Sequence, residues 1–242
     1  MNIRGRRSEG QVVVLMSRAY GENVAIRVSG AHVVSGLMEV PPRARACCVL
    51  AHGAGAGMSH PFMAEVAAGL GERGIATLRY QFPFMEQGSK RTDAPRLAHA
   101  TVRAAVARAI ELVPELPLVA GGKSFGGRMS SQAQAAQALP GVRGLVFLGF
   151  PLHPAGKPAS ERGEHLLELE CPMLFLQGTR DELADVSLLR ALIERLGERA
   201  TLELVADADH SFHVPARSGR TDAQVRAGLL DAFVRWIDQR TP

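Results

Sequence analysis

An α/β architecture on a mostly parallel sheet of about seven or eight strands, with helices on both faces, follows from two observations on this 242-residue chain. Short apolar runs alternate with amphipathic helical stretches along most of the sequence, and several of those runs end in glycine- or aspartate-rich turns. At 46% hydrophobic content the chain is long enough to bury a substantial core, and no linker, low-complexity tract or internal repeat divides it, so residues 1–242 read as one domain.

Residues 24–28 and 33–40 read as antiparallel strands. Residues 46–51 form a buried-strand run that ends at His52-Gly53-Ala54-Gly55-Ala56-Gly57. A helix should open at Pro61, because proline at the first helical position gives up no hydrogen bond, and Phe62, Val66 and Leu70 would share its apolar face. Residues 75–80 are the next strand, and Val102, Val106, Ile110 and Val113 mark the next helix. The apolar run from Leu116 leads into Ser124 and is followed by a helix over residues 128–139. Strands are expected at 142–149, 173–177 and 201–205, a helix at 186–196, and a last helix carrying Val225, Leu229, Phe233, Trp236 and Ile237. Ligands of such sheets sit at the carboxyl ends of the strands.

The strand before Ser124 runs into Gly121-Gly122-Lys123-Ser124-Phe125-Gly126-Gly127, which contains Gly-x-Ser-x-Gly. A serine hydroxyl is a poor nucleophile unless a sharp turn exposes it beside a base and near amide donors, and the flanking glycines let such a turn pack closely. The pattern occurs by chance, so its surroundings must decide. A phosphate-binding loop competes, since Gly122-Lys123-Ser124 copies its end, but its first glycine would fall on Pro117 within a strand. Past residues 173–177 comes Gly178-Thr179-Arg180-Asp181-Glu182, and past 201–205 comes Asp207-Ala208-Asp209-His210-Ser211-Phe212-His213. The order Ser, Asp, His follows, with His210 as base to Ser124 and Asp181 fixing the imidazole. His213 competes with His210. A metal cluster with Asp207 or Asp209 lacks a third ligand at usable spacing, so neither metal nor cofactor is expected. His52 and His60 read as structural or loop residues.

The loop after residues 46–51 offers the Ala54 amide as one oxyanion donor, and the Phe125 amide is the other. A dinucleotide loop is disfavoured because Met58 stands where a third glycine belongs.

With these segments in view the chain resembles the α/β-hydrolase superfamily over nearly its whole length. More narrowly it is similar to small dienelactone-hydrolase-like proteins, a group that includes a testis-expressed predicted hydrolase and a subunit of the NSL histone-acetyltransferase complex. The resemblance rests on residues 50–55, 78–86, 121–128, 149–154, 177–181 and 209–212. It implies the α/β-hydrolase fold and the three roles for Ser124, Asp181 and His210. True dienelactone hydrolases carry a cysteine nucleophile where this chain has Ser124, so their substrate does not transfer.

Residues 150–171, where relatives insert a cap, are short and rich in proline and glycine, leaving room for a small helix near residues 164–169 and no large cap domain. Phe82, Phe84, Phe150, Leu152 and His153 are expected to line an open site. Lys123 and Arg128 either meet an acidic substrate group or brace the turn. The function expected is a serine hydrolase acting on an ester, thioester or lactone, a small-molecule acyl substrate. An inactive binding or scaffold protein and a peptidase are the alternatives.

The net charge of +4 comes from scattered arginines, and only 5% of residues are aromatic, which does not suit nucleic-acid binding. Arg4, Arg6 and Arg7 read as a frayed terminus. The apolar run 11–16 is too short for an export signal, and no segment reaches membrane-spanning length, so no membrane partner is expected. Cys47 and Cys48 point to opposite faces of one strand and Cys171 stands apart. A cytoplasmic protein with free thiols is the expectation.

Overall fold

The computed structural model describes residues 21–240 apart from residue 31; the readings at Arg4, Arg6, Arg7 and residues 11–16 lie outside them. Eight strands form one sheet: β1 (Glu22–Ser29), β2 (His32–Glu39), β3 (Ala46–Ala51), β4 (Ile75–Tyr80), β5 (Leu118–Lys123), β6 (Val142–Leu148), β7 (Met173–Gly178) and β8 (Ala200–Val205). Their spatial order is β1-β2-β4-β3-β5-β6-β7-β8. β1 pairs with β2, and β2 with β4, antiparallel, while every pair from β4 through β3 to β8 is parallel. The strand alternation thus produces a doubly wound sheet with an antiparallel edge.

The helices are α1 (Pro61–Glu72), α2 (Pro83–Glu86), α3 (Pro95–Leu112), α4 (Phe125–Ala136), α5 (Val186–Leu196) and α6 (Asp222–Arg240). Proline stands at the start of α1, α2 and α3, and Asp185 caps α5 by accepting from the Ser187 and Leu188 amides.

The period-two alternation of the central strands divides the core. Cys48, Leu50, Val119, Val146, Leu174 and Leu176 pack with Met63, Val66 and Leu70 of α1 and with Leu229, Phe233, Trp236 and Ile237 of α6. Cys47, Val49, Ala51, Ala120, Phe147 and Phe175 face the other way, against Val102 and Val106 of α3, Met129 of α4 and Leu189 of α5. Both adjacent thiols are free and buried, and burial pushes Cys47 up to about 12 and Cys48 well above its usual range.

Two local expectations shift. On α1 the buried position belongs to Met63, while Phe62 is only partly covered. The connection from β6 to β7 carries a 3-10 helix at Glu161–Glu168, beginning earlier than residue 164, and no large cap.

The β5–α4 junction depends on two glycines whose backbone no other residue adopts easily. Gly121 and Gly122 have φ of 153° and 154°, and a Cβ on them would lie 1.9 Å from the Val146 carbonyl oxygen and 2.1 Å from that of Ala51. Gly122→Ala should therefore cost at least about 3 kcal/mol in denaturant unfolding. Gly55→Ala, with nothing within 4 Å of the new methyl, should stay within about 1 kcal/mol. Equal midpoints for the two variants would contradict this account.

Candidate active site

Ser124 sits between β5 and α4 with φ 50° and ψ −115°, a region that non-glycine residues seldom adopt. Its amide donates to the Leu148 carbonyl on β6 (3.1 Å), and its own carbonyl accepts from the Arg128 amide (3.1 Å). Gly126 permits the turn to seat: a Cβ there would meet the His52 carbonyl oxygen at 2.5 Å and the Ala51 Cβ at 2.7 Å.

Loops beyond the carboxyl ends of β7 and β8 bring the other two side chains in. His210 Nε2 lies 2.9 Å from Ser124 Oγ, and His210 Nδ1 lies 2.7 Å from Asp181 Oδ2. A carboxylate only accepts, so Nδ1 carries the proton, and Nε2 is left to accept from the serine hydroxyl. The Asp181 carboxylate is fully covered and takes two further donors, Gln177 Nε2 at 2.5 Å and the Leu183 amide at 2.8 Å. Three donors offset the cost of burying that charge. Gln177 is itself fixed by accepting from the Phe150 amide at 2.8 Å.

His213 is elsewhere: it is exposed and pairs through Nδ1 with Asp222 at 2.8 Å, which raises its pKa. Asp209 spends Oδ1 on the Ser211 and His213 amides, shaping the His210 loop. Among the described residues no group of three or more His, Cys, Asp or Glu side chains converges as a metal site, and no helix is long and apolar enough to cross a membrane.

The serine opens into a cavity of about 430 Å³ lined by Gly53, Ala54, Gly55, Ala56, His60, Phe62, Met63, Lys123, Ser124, His210 and Ser211. Ala54 is exposed on its wall, and Phe125 heads α4, where an amide has no partner within its own helix. His52 braces the glycine-rich loop from beneath. It is buried, its Nε2 accepts from the Phe82 amide at 3.0 Å, and its Nδ1 donates to the Gly53 carbonyl at 2.7 Å. Burial lowers its pKa, so the ring is neutral and serves as a strut. Gln81 Oε1 accepts from the Met58 amide at 2.8 Å and ties the same loop to the end of β4.

The expected lining is corrected. Phe82, Phe84, Phe150, Leu152 and His153 are all buried in the interior and none reaches the cavity. The Phe82 and Phe84 rings pack edge-on against Phe125 with centroids 5.2 and 6.0 Å away, under the turn instead of over it. His153 is a pin: Nε2 accepts from the Asp185 amide at 2.7 Å, and Nδ1 donates to the Pro154 carbonyl at 2.9 Å. The wall is formed instead by Phe62 and Met63 of α1, with Phe62 stacked 5.9 Å from Phe212. A partly apolar first turn directly after a glycine-rich loop was the available signal for them. For Gln177 it was a lone amide closing an apolar strand.

Lys123 braces the histidine loop. Its Nζ donates to the His210 carbonyl at 2.6 Å and lies 5.5 Å from the centre of the Phe212 ring. Arg128 points away, to a cluster between α3, α4 and the 3-10 helix.

Residues 44–238 match the family described as the alpha/beta hydrolase domain. The chain belongs to that family. Its fold is similar to a dienelactone hydrolase from Anabaena variabilis (TM-score 0.72, 19% identity, covering 92% of this chain and 99% of the other). It is also similar to a serine hydrolase without a lid from Xanthomonas campestris (TM-score 0.69, 22% identity, 90% and 95%). A cold-adapted esterase from an Arctic intertidal metagenomic library matches as well (TM-score 0.60, 23% identity, 92% and 93%). At these identities the alpha/beta hydrolase chain shares a fold with each of them.

Burial brings Lys123 down from its usual 10.5 to about 8, against the opposing pull of Asp181 and Asp209. The folded state then releases this proton before the unfolded chain does, so the lysine adds stability as pH climbs from about 8 towards 10.5. The buried thiols act in the opposite sense, since their pKa values are raised on folding. The wild-type minus Lys123→Met difference in unfolding free energy cancels them and should grow between pH 8 and pH 10 in urea titrations. A difference independent of pH would exclude a charged, buried Lys123.

Proposed function

We propose that this member of the alpha/beta hydrolase family is a serine hydrolase that cleaves an ester, thioester or lactone through an acyl-enzyme. The observation that carries the reading is the unbroken hydrogen-bond chain from Asp181 through His210 to Ser124 at the floor of an accessible cavity. The names of the structural neighbours, an esterase and a dienelactone hydrolase among them, support the same class.

In the forward half-reaction His210 Nε2 takes the hydroxyl proton as Ser124 Oγ bonds to the acyl carbon. Asp181, desolvated and held by three donors, stabilises the imidazolium that forms. The amides of Phe125 and Ala54 are assigned to the oxyanion. Collapse of the tetrahedral species returns the proton from Nε2 to the leaving alkoxide, thiolate or ring oxygen. Water then repeats the sequence on the acyl-enzyme and regenerates Ser124.

A fluorophosphonate probe should label the wild type and leave Ser124→Ala unlabelled; labelling of the variant would overturn the assignment. On a p-nitrophenyl ester, His210→Ala should lose at least about a thousandfold in kcat, while His213→Ala, whose ring is exposed and paired with Asp222, should stay near wild type. The reverse ranking would move the base to His213.

A further inference from the structure

Between α3, α4 and the 3-10 helix, three elements turn same-face residues towards one another. α3 contributes His99 and Arg103, four apart; α4 contributes Arg128, Ser131 and Gln132; the 3-10 helix contributes Arg162 and His165, one of its three-residue turns apart. The contacts are specific. His165 Nε2 lies 2.8 Å from Ser131 Oγ, His99 Nε2 lies 3.3 Å from Gln132 Oε1, and Arg103 Nη2 donates to the Ala133 and Gln137 carbonyls.

Among the described residues no carboxylate bonds to this cluster. Arg73 and Arg226 are partly covered, Arg79 is buried, and each is paired with an acid. Arg128 and Arg162 are partly covered too, yet neither side chain has a hydrogen-bond or ion-pair partner among the described residues, and Arg128 Nε is buried without one. The acids of the 3-10 helix are turned elsewhere: Glu164 is taken by Arg195, and Glu161 and Glu168 are exposed. The uncompensated charge is felt by its neighbours. His165 is brought down to about 4 by burial, then by Arg128 and His99, and His99 is lowered by burial together with Arg103 and Arg128.

Leaving guanidinium groups partly desolvated and unpaired is costly, and a guanidinium fork matches the geometry of an oxyanion. We propose that Arg128 and Arg162, with His165 and His99 beside them, form a binding site for a phosphate-type dianion. It is separate from the cavity at Ser124, which none of these residues lines. Because Arg128 lies one turn beyond Ser124 on α4, occupancy braces the helix that carries the nucleophile turn.

The test is thermal unfolding of the full chain with sodium phosphate replacing sodium chloride at constant ionic strength. Wild type should gain roughly 5 °C at a hundredfold excess over the dissociation constant. Arg162→Gln, which removes an unpartnered side chain and should fold, loses the gain. In parallel, the His165 ring followed by NMR should titrate at least about one unit higher with phosphate bound. A parallel titration with coenzyme A identifies the source: tighter binding than phosphate assigns the site to the phosphoryl group of a larger ligand, and equal or weaker binding assigns it to the free anion. A phosphate effect equal in Arg162→Gln, or none beyond chloride in the wild type, overturns the proposal, as does an unmoved His165.

Discussion

The site depends on one steric constraint: a serine with positive φ fits between β5 and α4 because the backbones around it come closer than any side chain permits. Gly122 lies against Ala51, and Gly126 against Ala51 and His52. This close approach does two things at once. It holds Ser124 in a conformation whose cost, of order 1–3 kcal/mol, the surrounding sheet must offset. It also brings the end of β3, and hence the Gly53–Ala54 loop, against the helix start at Phe125. Ser124 and both candidate oxyanion donors are therefore positioned by the same backbone contact.

Electrostatically the site is layered. The deepest charge is the Asp181 carboxylate, covered and held by Gln177, the Leu183 amide and His210. The imidazole stands between that anion and the serine. Lys123 lies on the flank, with its nitrogen on the His210 carbonyl instead of the ring. Bonding the main chain lets the lysine fix the loop while its charge is drawn towards Asp181 and Asp209, the two acids that favour its protonated form.

Much of the architecture was legible because a parallel sheet converts chain order into position. Once residues 46–51, 118–123, 173–178 and 200–205 are strands of one winding, whatever follows each of them lies at one end of the sheet. Hence Ser124, Asp181 and His210, 57 and 29 residues apart in sequence (181 − 124 and 210 − 181), come within hydrogen-bonding distance. The cavity wall was not legible in the same way. Phe82, Phe84 and Phe150 follow strands at that same end, and strand order alone would place them on the rim. Whether a ring turns up to solvent or down into the core is decided by local hydrogen bonds of the main chain. The Phe82 amide is captured by His52 and the Phe150 amide by Gln177, and both rings are thereby turned inward. These bonds join positions 30 and 27 residues apart, which no periodicity in the sequence reports.

The same two bonds explain why the cavity opens towards α1. The aromatic groups that could have roofed the serine from the β4 and β6 loops are committed to the core beneath it, and the β6–β7 connection contributes a short 3-10 helix that leans on α4. Space above Ser124 is bounded instead by the glycine-rich loop and by the first turn of α1, where Phe62 and Met63 stand on a helix started by Pro61. A wall made of loop backbone and two apolar side chains offers a ligand few fixed polar groups beyond Ser124, His210, Ser211, His60 and Lys123. Discrimination between ligands at such a wall rests on shape and apolar area, where each added methylene contributes only about 0.8 kcal/mol. Strong selectivity would require a polar group to be left unpaired by the wrong ligand. Lys123 spends one of its three N–H donors on the His210 carbonyl, and His60 uses Nδ1 on the Phe62 amide, so each keeps capacity for a ligand. Shape and apolar area therefore sort ligands at this wall, and its few polar side chains orient them.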